Sequence, residues 1–554
     1  MKRSGSATRR QFLQTTAGLG ALATIPGCQQ STVKSDQAVA KAITGQPLRI
    51  PPLLDYKTEQ DGTKVFRMQV VKGEMALVEG LKTETMGYNG DILGPTIRCR
   101  SGDPIRVEIE NHLPYVTTNH WHGLHLPAKQ DGGPHHMILP GEMWNSQWTV
   151  KQEAAMFWYH PHMMHQTGQQ VYQGMAGFFF VDTDASDKLG LPSEYGVDDI
   201  PLVIQDRLLD SNNQLNYRPK KSDDMGMKGP HILINGGEKP HWSAPAQWVR
   251  LRVLNGSNAR IYNIGFEGDL TFYQTGTDGG ALERPVALKR ARLGPAERAE
   301  ILVNLSEMKG QTLKLMSYSS EIMPQMNAQI VTKDHDLDQI DQSDYALMTF
   351  SVDKAGNPNA MQALPEQLIP IRWIPESQAV NQQRPRPFRL NVMNGFFINR
   401  RTMDLARLDF FVKKGDTEIW EIINTSWMSH PFHVHDVQFQ ILDRYNTQTG
   451  VRSEPFENER GWKDTVYVEP WERVRIIMEF KEYADPNVPY MVHCHILEHE
   501  DDGMMQQFVV LDPNEKLEPG AMIKGPTFCR EPDQIRKIGE PAPKRVSLWN
   551  RIFS

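Results

Sequence analysis

The sequence predicts an all-β protein of short strands arranged as sandwiches or barrels, and three observations carry that reading. Strand-like runs are short and frequent, as at 176–181, 473–480 and 507–511, while few segments carry an apolar period near 3.6. Turn formers abound, with 42 Gly and 37 Pro in 554 residues. One pattern recurs at positions 107, 251 and 420: Val107-Glu108-Ile109-Glu110-Asn111, Leu251-Arg252-Val253-Leu254-Asn255 and Trp420-Glu421-Ile422-Ile423-Asn424. Each copy reads as a strand ending at an Asn that begins a turn.

The copies lie 144 and 169 residues apart, ordinary domain spacings, so each copy marks one unit of a three-unit chain. A chain of this length is too long for a single ordinary core. Hydrophobic residues make up 39% and charged residues 23%, a globular composition. The net charge of -7 argues against a nucleic acid or an anionic membrane as partner. No run of eighteen apolar residues exists to form a spanning helix.

The first 28 residues read as an export segment. Lys2, Arg3, Arg9 and Arg10 precede a mostly apolar stretch from Phe12 to Pro26 and then small residues. Thr8-Arg9-Arg10-Gln11-Phe12-Leu13 resembles a twin-arginine signal, which exports folded protein to the periplasm or cell envelope; Gln14 departs from its usual Lys. Ile25-Pro26-Gly27-Cys28 resembles a lipoprotein box with an unusual Pro, making Cys28 a candidate lipid anchor. Of the other cysteines, Cys99 and Cys529 are either a disulfide pair or small buried hydrophobes.

Histidine carries the chemistry. Ten of 18 His fall into four clusters: His120-Trp121-His122, His160-Pro161-His162, His430-Pro431-Phe432-His433-Val434-His435, and His493-Cys494-His495 with His499. On a strand, residues i and i+2 share a face, so each His-x-His presents two imidazoles side by side. In His493-Cys494-His495 the thiolate faces the other way, so a metal on the Cys side and a cluster on the His side would be joined through a few backbone bonds. A lone His is ordinarily a surface or core residue, but four His-x-His pairs are not a chance pattern. One or two zinc ions need fewer His than this. Cys494, His499 and Met504, with a second imidazole from elsewhere, supply the thiolate, imidazole and thioether set of blue copper; Met505 competes with Met504 for the axial place.

With these clusters in this order, residues 47 to 515 resemble the multicopper oxidases, the family of laccases, ascorbate oxidase, bilirubin oxidase and bacterial copper efflux oxidase. Asp131-Gly132-Gly133-Pro134 and Glu498-His499-Glu500-Asp501 strengthen the likeness to the efflux oxidase. The resemblance implies three cupredoxin-like Greek-key β-sandwich domains, at 47–183, 184–350 (metal-free) and 385–515. A connector at 351–384 and a tail at 516–554 complete the chain. It implies four copper ions: type 1 on His430, Cys494, His499 and Met504; type 2 on His120 and His433; and a type 3 pair on His122, His160, His162, His435, His493 and His495. It further implies that Asp131 and Glu500 are catalytic residues that feed protons to the cluster, where a carboxylate can act as general acid if burial raises its pKa.

The implied activity is one-electron oxidation of a small substrate (Cu(I), a phenol or an aromatic amine) coupled to reduction of dioxygen to water, by a monomer. The chain departs from the efflux oxidase in lacking a dense Met-rich run, and Ser426 stands where that enzyme's substrate-copper site has an Asp, beside a matching Met428. Met163-Met164, Met225/Met227 and Met323/Met326 are either soft Cu(I) contacts or core fillers. Trp427 would shape an aromatic approach. The family also includes a cell-division protein that keeps the fold without copper, so a copper-free binding protein is one alternative. A carrier using the type 1 site alone is the other.

Overall fold

Six sheets pair into three sandwiches in the computed structural model, which describes residues 45–78, 80–217, 226–322, 341–393, 395–517 and 535–538. The first sandwich sets a six-stranded sheet against a four-stranded one, the second a seven- against a five-stranded sheet, and the third a six- against a five-stranded sheet. Three separate apolar cores fill them. Phe66, Val107 and Phe179 belong to the first, Ile204, Leu251 and Phe350 to the second, and Phe388, Trp420 and Phe508 to the third.

The repeated strand plays the same part in each. Pro104–Asn111 pairs parallel with Lys64–Met75 and antiparallel with Glu142–Thr149. Trp248–Asn255 runs parallel to Asp199–Arg207 and antiparallel to Arg298–Asn304. Thr417–Asn424 runs parallel to Arg386–Val392 and antiparallel to Glu472–Glu479.

The terminal Asn explains the pattern's ending. Asn111 Nδ2 donates to the carbonyls of Tyr115 and Ile138, Asn255 Nδ2 to those of Arg260 and Leu293, and Asn424 Nδ2 to those of Met428 and Glu469. In each copy the Asn Oδ1 accepts the amide two residues on. All three side chains are fully buried. A short amide with two donors and an acceptor thus satisfies the orphan backbone groups of a buried turn.

The strand-like runs match strands Gly177–Asp182, Glu472–Glu479 and Met505–Leu511. Strand Asp344–Lys354 carries the second sandwich past residue 350. Pro47 bridges to His241, and Leu48 and Ile50 pack on the second core, so the start of the described chain lies against the second sandwich. The connector is laid down rather than loose: Ile374 is buried and its amide donates to Gln440 Oε1 at 2.9 Å. In the tail, Ile535–Lys537 adds a strand to the edge strand Glu142–Thr149 of the first sandwich. Cys99 is a buried free thiol in the first core. Cys28, Cys529 and the export segment lie outside the described residues. Among the described residues no helix is long and apolar enough to cross a membrane.

Candidate metal centre

Strand register brings the four His clusters together. His120–His122 pairs with Ala155–His160 so that His120 faces His160. His430–Val434 pairs with Asp485–Cys494 so that His433 faces His493 and Phe432 faces Cys494. Eight imidazoles, from His120, His122, His160, His162, His433, His435, His493 and His495, meet in one buried group between the first and third sandwiches. His120 stacks on His435 at 3.9 Å between ring centroids and His122 on His433 at 3.7 Å.

Their nitrogens divide into a held set and a free set. Nδ1 of His120, His160 and His433 is bonded to the carbonyls of Asp131, Pro161 and Asp464 at 2.9, 2.7 and 2.8 Å. The Nε2 atoms of the same three rings are buried without a hydrogen-bond partner. His122 is reversed: Nε2 lies 3.0 Å from Asp464 Oδ1, and Nδ1 is the unpartnered atom. Both nitrogens of His495 are unpartnered. Buried polar atoms are rarely left so, and a ring whose far nitrogen is held by a carbonyl or carboxylate is the usual form of a metal-ligating His.

Three Nε2 atoms, of His162, His435 and His493, lie 3.2 Å from one another. The point equidistant from all three is about 1.8 Å from each (3.2/√3), close to a metal–imidazole bond of about 2.0 Å. Burial drives the pKa of His122, His160, His162, His433, His435 and His495 well below 6.5, so these rings are neutral and able to bind metal.

The second group lies on the opposite face of Cys494. Its Sγ is 3.3 Å from His430 Nδ1 and 3.5 Å from His499 Nδ1. His430 Nε2 lies 2.9 Å from Ser426 Oγ, and His499 stacks on Phe396 at 3.9 Å. Burial raises the thiol of Cys494, so a metal entering here must displace its proton. Met504 lies in the third core with Cys494, whereas Met505 packs away from it with Met403, Met491 and Met164, as strand alternation requires. Gly503 makes the turn between helix and strand at φ +95°, which favours Gly.

The two acidic residues stand directly behind the imidazoles. Asp131 Oδ2 is 2.8 Å from His435 Nδ1, and Asp131 Oδ1 is 3.5 Å from His120 Nδ1. Glu500 sets one oxygen 3.2 Å from His162 Nδ1 and the other 3.1 Å from His493 Nδ1. A raised pKa for Glu500 is not what its surroundings produce. Burial alone would raise it, but the Nδ1 groups of His162 and His493 that point at its oxygens outweigh burial and hold the carboxyl below its usual range.

Ser426 is occupied, with its hydroxyl bonded to His430 and within reach of Asn424 Oδ1 and the Met428 carbonyl. Met428 is buried in the third core, with Trp427 half-buried against it. Met227 is buried, and Met163 and Met164 are half-buried; Met225, Met323 and Met326 lie outside the described residues. Sequence reasoning missed Asp464, a buried acid touching His122, because nothing in Trp462-Lys463-Asp464-Thr465 marks it.

Comparison with known proteins gives the family. Multicopper oxidase family models match residues 69–186 and 376–514. A multicopper oxidase of Staphylococcus aureus is 34% identical over 468 residues, covering 84% of this chain and 92% of that protein. The chain belongs to the multicopper oxidase family. Its three sandwiches are the cupredoxin-like domains of that fold, and copper is the metal the family binds. A laccase-like multicopper oxidase, CueO from Ochrobactrum sp., superposes with a TM-score of 0.74 at 33% identity, covering 84% of this chain and all of that one. The cell division protein FtsP of Escherichia coli is also similar, 31% identical over 506 residues, covering 91% of this chain and 99% of FtsP.

Proposed function

We propose that this multicopper oxidase takes electrons singly from Cu(I), a phenol or an aromatic amine and uses four of them, with four protons, to reduce dioxygen to two waters. The observation that carries the reading is the placement of Cys494. Its thiol stands with His430 and His499 on one side, while its neighbours His493 and His495 stand in the eight-imidazole group on the other. Copper bound at both groups supplies reversible one-electron chemistry. His430, Cys494, His499 and Met504 would hold the type 1 ion; His120 and His433 the type 2 ion; and His122, His160, His162, His435, His493 and His495 the type 3 pair.

The chain's own residues do the rest. The backbone from Cys494 to its two neighbours is the shortest covalent path between the groups. Asp131 and Glu500 turn the Nε2 lone pairs inward by holding Nδ1. They are also carboxylates set directly against the rings of the cluster, where a proton can be passed. Export by the twin-arginine route would let copper load before translocation and deliver a monomer, tethered or free, to the cell envelope.

The likeness to FtsP favours one other reading, a copper-free binding protein of the envelope. Copper analysis and a visible spectrum on the loaded protein decide between them. About four copper per chain with an intense blue band is expected; no copper after full loading would leave the binding protein, and one copper the electron carrier.

A further inference from the structure

We infer that Arg298, from the second sandwich, is a positioning residue for the eight-imidazole cluster and acts through Asp464. The inference rests on the copper-oxidase reading above. Arg298 is fully buried, and each of its five N–H groups is used. Nη1 and Nη2 donate to Oδ1 and Oδ2 of Asp464 at 2.7 and 2.5 Å. Nε donates to the Met156 carbonyl at 3.1 Å, Nη1 to that of Ala296 at 3.1 Å and Nη2 to that of Asp278 at 2.9 Å. These acceptors come from all three sandwiches, so the guanidinium is fixed in plane and in rotation.

Asp464 passes that rigidity to two candidate ligands from different domains. Its Oδ1 lies 3.0 Å from His122 Nε2, and its carbonyl accepts from His433 Nδ1 at 2.8 Å. With the Nε2 proton of His122 committed to Asp464, the unpartnered Nδ1 is the atom left for metal. Gly123 makes room for the pair, since a Cβ there would stand 2.2 Å from Asp464 Oδ2 and 3.0 Å from Arg298 Nη2. The preceding residues pair in the same sense: Lys463 Nζ lies 3.2 Å from Glu297 and 2.9 Å from Asp278. The second sandwich therefore fixes the tautomer of a ligand that belongs to the first. A lysine could not do this, because a point charge cannot fill two carboxylate oxygens and three carbonyls at once.

The test is copper loading of the full chain, with wild type alongside Arg298→Lys and the double variant Arg298→Gln/Asp464→Asn. Arg298→Lys keeps the charge, and the double variant leaves no unpaired charge in the interface, so one variant remains informative if the other does not fold. Total copper against a chelator series, the type 2 signal by electron paramagnetic resonance and the blue band are read on each. Losing a partner of a ligating His typically weakens metal binding about 10- to 100-fold. The expected result is that loss confined to the cluster copper, with the type 2 signal altered and the blue band intact. A folded variant that keeps wild-type cluster copper and signal, or loses both sites equally, would overturn the inference and leave Arg298 as interface packing. Wild type that binds no copper would instead bring down the oxidase reading itself.

Discussion

Asp131 Oδ2 lies 2.8 Å from Nδ1 of His435, across the boundary between the first and third sandwiches. That contact leaves His435 Nε2 facing the nitrogens of His162 and His493. Asp131→Ala should therefore weaken cluster copper binding and slow dioxygen reduction by about 10- to 100-fold. The blue centre around Cys494 does not touch Asp131 and should be unchanged. Oxygen-uptake rates and the visible spectrum check both halves; equal loss at both centres would deny Asp131 its local role.

Cys494→Ser should abolish the blue band and substrate oxidation while the fold survives. The side chain is buried in the third core, and serine removes the sulfur that stands within reach of both His430 and His499. Circular dichroism and the visible spectrum are the measurements; a variant still blue would refute the type 1 assignment.

Ser426→Ala leaves the buried Nε2–H of His430 without its acceptor at 2.9 Å. An unsatisfied buried donor costs about 1–3 kcal/mol, so the copper-free variant should unfold at lower denaturant by that amount. The blue band should also weaken, since His430 Nδ1 would no longer be aimed at the metal. Denaturant melts with an unchanged midpoint would show that the hydroxyl is dispensable.

Acid sensitivity should trace to buried pairs in the second sandwich. Asp199 accepts Nε and Nη2 of Arg252 at 2.6 and 3.0 Å. Burial alone would raise its pKa, but Arg252 and its neighbours outweigh burial and lower it. A depressed carboxylate contributes stability that is complete above its unfolded pKa of about 3.9 and is lost as pH falls through the lower folded value. Asp199→Asn should cost about 1–3 kcal/mol at neutral pH, because Arg252 Nε and Nη2 lose their charged acceptor while Nη1 keeps Glu300. It should also flatten the loss of stability below about pH 4, which thermal melts across pH would show.

Local chemistry was legible in the sequence wherever one segment carried it alone. The His-x-His pairs needed only strand period to predict paired imidazoles, and Asn111, Asn255 and Asn424 marked equivalent strand ends because each closes its own turn. The choice between Met504 and Met505 was not legible, since it depends on which face of strand Met505–Leu511 looks at Cys494. The pKa direction of Glu500 was not legible either. Burial could be anticipated, but the opposing contacts come from two segments at once, His493 nearby and His162 far off in the sequence.

The sequence by itself determined the kind of donors, their grouping in pairs and the three-unit β architecture, because these follow from residue type and short-range period. Only the tertiary structure decided which nitrogen of each imidazole is free, which carboxylates stand behind the rings, and that Arg298 of the second sandwich reaches the cluster through Asp464. The contacts of Asp464 with His122 and Arg298 join residues 342 and 166 positions apart, and no local pattern encodes a partner at that distance.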